Sequence, residues 1–350
     1  MTEQNASLLQ GAQAVVRMTR IDDPQWLALL QRARPTLFQT PRWCNLVSAE
    51  YGFPARLALV VSGTDAICGL PYAEVEDFRG ERRIAYAFSD FCEPLGDING
   101  WPLIEAALCR GSVPWQIRSR VVPSSLAETA EQPGVQQSVA LPKTMEEASS
   151  AFHQKQRVNT ARFERVGGTL RKVADRSFLD PFYNLFATLR KRKFRLLPQG
   201  RNFFGRVIDE YFPDRGFGLL AELNGTVVAA MILLSESDTL YVKYSASDPD
   251  VLNVRPNNFL FQKAIEQAIL GGFNHLDLGI SIEPGLQRFK EHLGAKSIAY
   301  YAARYVQKAK TDAIRQQEAC LANLTRILTA DEVPLASVAE AGAELYRYFV

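Results

Sequence analysis

Twice along this chain a pair of helical segments is followed by a β-hairpin, and one small core has no room for both copies. The first hairpin reads LALVVSGTDAICGLPYAEV over residues 57–75, and the second reads LLAELNGTVVAAMILL over residues 219–234. Ser62-Gly63-Thr64-Asp65 and Asn224-Gly225 supply the tight turns, because glycine and asparagine reach the left-handed conformation that two-residue hairpins require. Before the first hairpin, Asp23 to Arg34 places Trp26, Leu27, Leu29, Leu30 and Ala33 at helical spacing and stops ahead of Pro35. A second helix follows Thr40-Pro41, with Trp43, Leu46 and Val47 inward. Before the second hairpin, one helix runs from Met145 to Val166 and ends at Gly167-Gly168, and another spans Asp180 to Arg192.

Each copy then continues into further strands. In the first they are Arg83 to Phe88, Trp115 to Val122 and Gln137 to Leu141, with Ser124 to Gly134 as a polar loop. In the second come a strand over Thr239 to Ser245, a helix over Asn258 to Leu270 closed by Gly271-Gly272, and a short strand over His275 to Leu278. The pattern predicts an α+β chain made by internal duplication, each half a mixed, mostly antiparallel sheet flanked by helices.

Length agrees, since 350 residues exceed the roughly 100–200 of one ordinary domain. We draw the domains at 12–145 and 146–305. Residues 306–350 form a helical extension, in which Val306 to Leu328 spaces its alanine, leucine and isoleucine along one face. A content of 47% hydrophobic and 22% charged residues excludes global disorder. The net charge of +2 gives no field for general DNA or membrane-surface binding, so any electrostatic site is local. Five cysteines without a CxxC pair, and three histidines apart from them, argue against a disulfide framework and a structural zinc site. The first twenty residues lack the basic-then-apolar pattern of a secretion signal, and no stretch reaches the roughly 18 apolar residues of a membrane span. A cytoplasmic protein is expected.

The strings LLAELNGTVVAAMILL, LYVKYSASD, RPNNFLFQKAI, GFNHLDLGIS and GLQRFKEHLGAK occur in that order over residues 219–296, and FSDFCEPLG lies at 88–96. This ordered set resembles the FemAB-like proteins of the GNAT acyltransferase superfamily, the Fem-type aminoacyltransferase relatives with a CelD/BcsL-like acetyltransferase domain. The resemblance covers most of residues 40–305. It implies tandem GNAT-like domains and an N-acyl or aminoacyl transferase.

Such an enzyme holds an activated acyl donor, brings an amine to it, takes up a proton and stabilises an oxyanion. The resemblance puts Lys290 of the Phe289-Lys290 pair in the substrate site, with Arg288 nearby. Lys290 is expected to act in transfer and not in folding, so that its removal changes stability by about 0.5 kcal/mol or less, as for an exposed residue. Asp277 interrupts the apolar strand HLDLG, where a buried carboxylate is costly without a partner or a task, and is the candidate base. On the central strand, alternation sets Tyr241 and Lys243 on one face and Tyr244 on the other. Tyr244 is a candidate catalytic group and Lys243 a candidate substrate contact.

Where the superfamily carries a glycine-rich pyrophosphate turn, this chain has Val254-Arg255-Pro256-Asn257-Asn258-Phe259, with no glycine. Ordinary acetyl-CoA binding there is expected to be weak, with Arg255 and Asn258 as the remaining contacts. Through the resemblance, Asp90 and Glu93 of FSDFCEPLG are candidate cleft acids. Cys92 between them is a weak candidate acyl carrier because no histidine accompanies it in the sequence. Arg190, Lys191, Arg192, Lys193 and Arg195, with Lys155, Arg157, Arg162 and Arg165 on the preceding helix, form the densest basic run. Of these Arg157 is taken as a substrate contact, and the run suits an anionic small-molecule or lipid-linked substrate, or tRNA. His153 and His292 are read as surface residues.

The expected reaction forms an amide on an amino sugar, amino acid or peptide in cell-envelope or polysaccharide biosynthesis. No cofactor is permanently bound, and the donor is acyl-CoA or aminoacyl-tRNA. The rival reading is a non-catalytic GNAT-fold module that binds an anionic envelope precursor.

Overall fold

The computed structural model describes residues 14–110, 113–122, 124–305 and 311–350. The chain forms two compact units, one built from the sequence up to Gly134 together with Ala299–Ile314, the other from Val135–Ile298 and Arg315–Val350.

In the first unit, β1 (Val15–Arg20) leads to α1 (Pro24–Arg32) and α2 (Pro41–Tyr51), then to β2 (Ala55–Ser62), β3 (Asp65–Asp77), β4 (Gly80–Ala85), a short β5 (Leu95–Gly96), α3 (Trp101–Cys109) and β6 (Trp115–Ser119). Local chemistry fixes the helix ends. Asp23 accepts from the Gln25 amide and Thr40 from the Trp43 amide, each ahead of a proline in the first turn, and Gly52 closes α2 at φ 71°. Strand β7 (Glu131–Ala140) passes from the first unit into the second.

The second unit continues through α4 (Met145–Ala151), α5 (Gln154–Arg165), β8 (Thr169–Val173), α6 (Leu179–Leu189), α7 (Arg201–Tyr211), β9 (Gly216–Leu223), β10 (Thr226–Glu236) and β11 (Thr239–Ser247). After these come α8 (Pro256–Leu270), β12 (His275–Ser281) and α9 (Pro284–Glu291). Strand β13 (Lys296–Tyr305) returns the chain to the first unit, before α10 (Asp312–Leu328) and α11 (Leu335–Leu345).

Strand order makes the duplication explicit. The first sheet runs β1-β2-β3-β4-β6-β13, with β5 beside β3, and the second runs β8-β9-β10-β11-β12-β7. In both, the first four strands are mutually antiparallel, the fourth and fifth are parallel, and the sixth is antiparallel to the fifth. Two helices separate the first and second strands, and one helix crosses between the fourth and fifth. The fold is thus α+β, with the same mixed strand order repeated in each unit, as the repeated hairpins predict.

Several boundaries differ from the sequence reading. The helix expected from Met145 to Val166 is two helices, because Phe152 and His153 take extended conformations between them. The repeated pair before the second hairpin is α6 and α7, so α4 and α5 lie outside the repeat. The sequence drew domain ends at 145 and 305, whereas the second unit begins at Val135 and takes in the chain from Arg315 onward. Helix α11 explains the latter, since Val338 is fully buried and an added Cβ at Gly342 would lie 2.2 Å from the Pro198 carbonyl oxygen. The long C-terminal helix begins at Asp312; residues 306–310, where its start was expected, lie outside the described residues, as do the first thirteen.

Candidate active site

Parallel strands that carry a crossover helix gather ligands beyond their carboxyl ends, where the strands separate. In the second unit, β11 and β12 pair over three positions only, Thr239 with His275, Leu240 with Leu276 and Tyr241 with Asp277. Both strands continue further, β11 to Ser247 and β12 to Ser281. The site is built where that pairing stops.

Side-chain alternation decides which groups meet there. Leu240, Val242, Leu276 and Leu278 enter the core cluster with Phe259, Leu260, Ala264 and Ile265 of α8. Tyr241 and Asp277 therefore belong to the opposite face. Strict alternation would carry Tyr244 to the α8 side, but Val242 pairs with Leu233 and Tyr244 with the adjacent Ile232, so that the register skips Lys243. This β-bulge re-phases the strand. Tyr244 consequently packs edge-on against Phe186 of α6 and Phe203 and Phe204 of α7, with centroids 6.3, 6.1 and 5.1 Å away. The sequence expectation for these three residues is corrected: Tyr244 shares a face with Tyr241, and Lys243 is the bulged residue, its ammonium 5.1 Å from the Tyr244 ring centre.

Asp277 and Lys290 converge on one glycine. Asp277 is 6% exposed, and its Oδ1 accepts the Gly279 N–H at 2.6 Å while Oδ2 accepts from Gln136 Nε2 at 2.7 Å. Lys290 is 3% exposed, and its Nζ donates to the carbonyls of Gly279 at 3.2 Å and Ile280 at 3.0 Å. Gly279 itself stands at φ 71°, which only glycine adopts without strain, beside a register shift in the β12–β7 pairing. Lys290 is thus not on a solvated helix face. Arg288 is exposed on the same helix, so the neighbouring cation gave no hint of the burial. A buried ammonium costs several kcal/mol unless hydrogen bonds and an opposite charge compensate it, so α9 is held to β12 by its polar residue.

A second buried network fixes the start of α8. Arg255 takes φ 67° just before Pro256, making without glycine the left-handed turn that glycine would make without strain. Its side chain is exposed, and Asn257 ties the helix start to Ser247 of β11 at 3.1 Å. Asn258, a candidate substrate contact, instead donates to Gln156 at 2.6 Å, and its carbonyl accepts from Gln156 at 2.8 Å. That pair locks α8 to α5.

Other candidates are engaged in holding the fold. Arg157 donates to the carbonyls of Ser149 and Phe152 at 3.1 and 2.8 Å, closing the end of α4. In the basic run, Arg192 forms a bidentate pair with Asp250, Arg195 one with Asp331, and Lys191 is buried with its Nζ on the Asp331 carbonyl. Of the five cations of that run, two are therefore paired with surface carboxylates and a third is buried on a backbone carbonyl. In the first unit, Glu93 is ion-paired with Arg120, and Asp90 is half-buried. Cys92 is fully buried, and burial pushes its thiol well above the ordinary range with the Glu93 charge adding to the effect, so it is a poor nucleophile. His153 and His292 are not separate surface residues but a stacked pair, 4.3 Å between centroids.

Residues 150–291 match the family model for an acetyltransferase (GNAT) domain. That stretch is therefore similar to a GNAT acetyltransferase domain and supports the acyltransferase class, as the FemAB-like resemblance implies. Among solved structures, the fold is shared with FemX at 12% identity and a TM-score of 0.60, over 82% of this chain and 96% of that one. It is also similar to the C-terminal domain of a putative lysylphosphatidylglycerol synthetase from Agrobacterium fabrum, at 15% identity and 0.54, over 85% and 95% of the two chains. A third is L-PGS from Bacillus licheniformis, at 14% identity and 0.52, over 89% and 98%. A comparison with curated protein sequences found no match. Among the described residues no helix is long and apolar enough to cross a membrane.

The first unit offers a contrast at the matching place. Its parallel pair ends with Ala85 opposite Ile117, both buried, where the second unit has Tyr241 opposite Asp277. The sequence did not signal Gln136 or Gln137, since two glutamines in the polar string EQPGVQQSVA carry no pattern.

Proposed function

We propose that the second unit transfers an acyl group to a primary amine at the point where β11 and β12 part. The observation that carries this is the buried Asp277 carboxylate, held at both oxygens where β11 and β12 part. The amine nitrogen attacks the acyl carbonyl carbon, and Asp277 accepts the proton that the nitrogen loses. Lys290, bonded to the Gly279 and Ile280 carbonyls from the face opposite Asp277, holds the end of β12 in place, and collapse of the tetrahedral intermediate expels the donor's leaving group. Tyr244, fixed by three phenylalanines, borders the same face, and Lys243 and Arg288 serve the acceptor.

For the donor we propose an acyl-CoA thioester, with exposed Arg255 and the start of α8 taking its phosphates. Support comes from the GNAT domain match, and two cations of the basic run, Arg192 and Arg195, are already paired with Asp250 and Asp331. The acceptor class we propose is an amine on an amino sugar, amino acid or peptide bound for the cell envelope, with Arg288 meeting its anionic group. The names of the fold neighbours, FemX and lysylphosphatidylglycerol synthetase, point in that direction. In the first unit, Ile117 replaces the carboxylate, so Asp90 and Glu93 there serve binding or folding and not proton transfer.

Mass spectrometry of small molecules that survive purification tests this reading. CoA or an acyl-CoA, lost in the Arg255→Ala variant, is the expected result. Charged tRNA would overturn the donor assignment. An envelope precursor bound without any donor, and unchanged on addition of acyl-CoA, would establish the non-catalytic module instead.

A further inference from the structure

Two consecutive glutamines of β7 lie outside residues 150–291, yet they are built into the site. Gln136 is 3% exposed and Gln137 is fully buried. A primary amide is costly to bury unless its hydrogen bonds are satisfied, and here both are used on the same constellation. Gln136 Nε2 donates to Asp277 Oδ2 at 2.7 Å, opposite the Gly279 N–H on Oδ1, so the carboxylate is gripped at both oxygens. Gln137 Nε2 donates to the Gln287 carbonyl and to Ser297 Oγ, each at 3.1 Å, and its Oε1 accepts from Ser281 Oγ at 2.7 Å. Gln287 lies on α9, three residues before Lys290.

Adjacent residues of a strand point to opposite faces. One strand therefore fixes the carboxylate with Gln136 and the ammonium-bearing helix with Gln137. A carboxylate held at one oxygen turns about its last torsion; held at both, it presents one fixed lone pair to the acceptor amine. Misplacement of a reacting group by about 1 Å costs on the order of 10² in rate.

We propose that Gln136 is a positioning residue that fixes the Asp277 carboxylate for proton transfer, with Gln137 setting the seat of α9, so that β7 is part of the reacting site. The inference rests on the reading of Asp277 as base. It also means that residues 146–305 alone lack a component of that site.

The test uses the full chain with Gln136→Met, close in shape but without the donor, and Gln136→Leu as a second replacement. Each is combined with Asp277→Asn and measured in two ways. The first is amide hydrogen exchange at Gly279, expected to quicken about tenfold in either Gln136 variant while the amides of β10 stay as protected as before. The second is turnover of acetyl-CoA with glucosamine as the probe amine. There kcat is expected to fall at least about tenfold at unchanged KM for acetyl-CoA, with no further loss when Gln136→Met is added to Asp277→Asn. Unchanged exchange at Gly279, or additive losses in the double variant, would overturn the proposal. If the wild-type chain turns over no probe, it is the functional reading that fails, and exchange at Gly279 alone then upholds or overturns the role of Gln136 in holding the carboxylate.

Discussion

Replacing Lys290 with methionine keeps most of the apolar stem and removes the charge, which makes it the sharpest perturbation of the site. In the folded chain the ammonium is 3% exposed and donates to two carbonyls, at 3.2 and 3.0 Å. A hydrogen bond with a charged partner contributes about 1.5–3 kcal/mol, and a buried acceptor left without its donor costs about 1–3 kcal/mol. Methionine recovers part of this through its packing, so a net loss of about 2–4 kcal/mol is expected. Urea unfolding followed by tryptophan fluorescence measures it, provided the slope with denaturant is unchanged. This is several times the 0.5 kcal/mol or less that a solvated helix face would give. Turnover should fall by about 10² or more. Lys290→Arg separates the two effects: it keeps the charge and regains stability, but the larger guanidinium cannot occupy the same place and turnover stays low. A Lys290→Met variant as stable as the wild type would refute the argument that this lysine holds α9 to β12. One with wild-type turnover would remove it from the reaction.

Four further outcomes are expected. Gly279→Ala should lose about 1–2 kcal/mol because its φ of 71° is left-handed, and a urea midpoint equal to wild type would show that the bulge relaxes freely. Arg255→Ala should leave stability within about 0.5 kcal/mol and weaken acetyl-CoA binding roughly tenfold; calorimetry that finds equal affinities would detach this turn from the donor. Cys92→Ala should retain transfer, and native protein should be alkylated at exposed Cys320 but not at Cys92; an acyl group found on Cys92 by peptide mass analysis would contradict this. Burial pushes the Asp77 carboxyl up, yet hydrogen bonds from Arg79 and Arg82 outweigh it and hold the group well below the usual carboxylate range. A depressed folded pKa stabilises above the unfolded value and is lost as pH falls through the folded one. The deficit of Asp77→Asn relative to wild type should therefore be full at neutral pH and shrink below about pH 4, and a deficit independent of pH would argue against the ion pairs.

The parts of the fold that were legible are those whose signal is local. Both hairpins declared themselves through turn residues and alternation, and α8 through its apolar face and its closing Gly271-Gly272. Asp277 stood out because a carboxylate inside HLDLG has no cheap place in an apolar strand. What was hidden depends on partners distant in sequence. The bulge at Lys243 exists only in the pairing of β10 with β11, so alternation alone put Tyr244 on the wrong face. Edge strands β1 and β8 are mostly exposed and carry little apolar pattern. Lys290 sits between exposed Arg288 and Glu291, so nothing nearby marks it as buried. The basic run misled for the same reason, because Asp250 and Asp331, which pair with two of its cations, lie some 58 and 136 residues away.

The most direct measurement of the central claim is the rate of amide formation from acyl-CoA and an amino sugar or peptide amine by the wild-type chain and by Asp277→Asn. Amide product and released thiol are quantified together across pH. Equal amounts of both are expected from the wild type. A deficit of about 10² or more is expected in the variant at neutral pH, narrowing as pH rises and more of the amine is already deprotonated. Equal rates for the two proteins at every pH would contradict it, and would move the chemistry away from the end of β12.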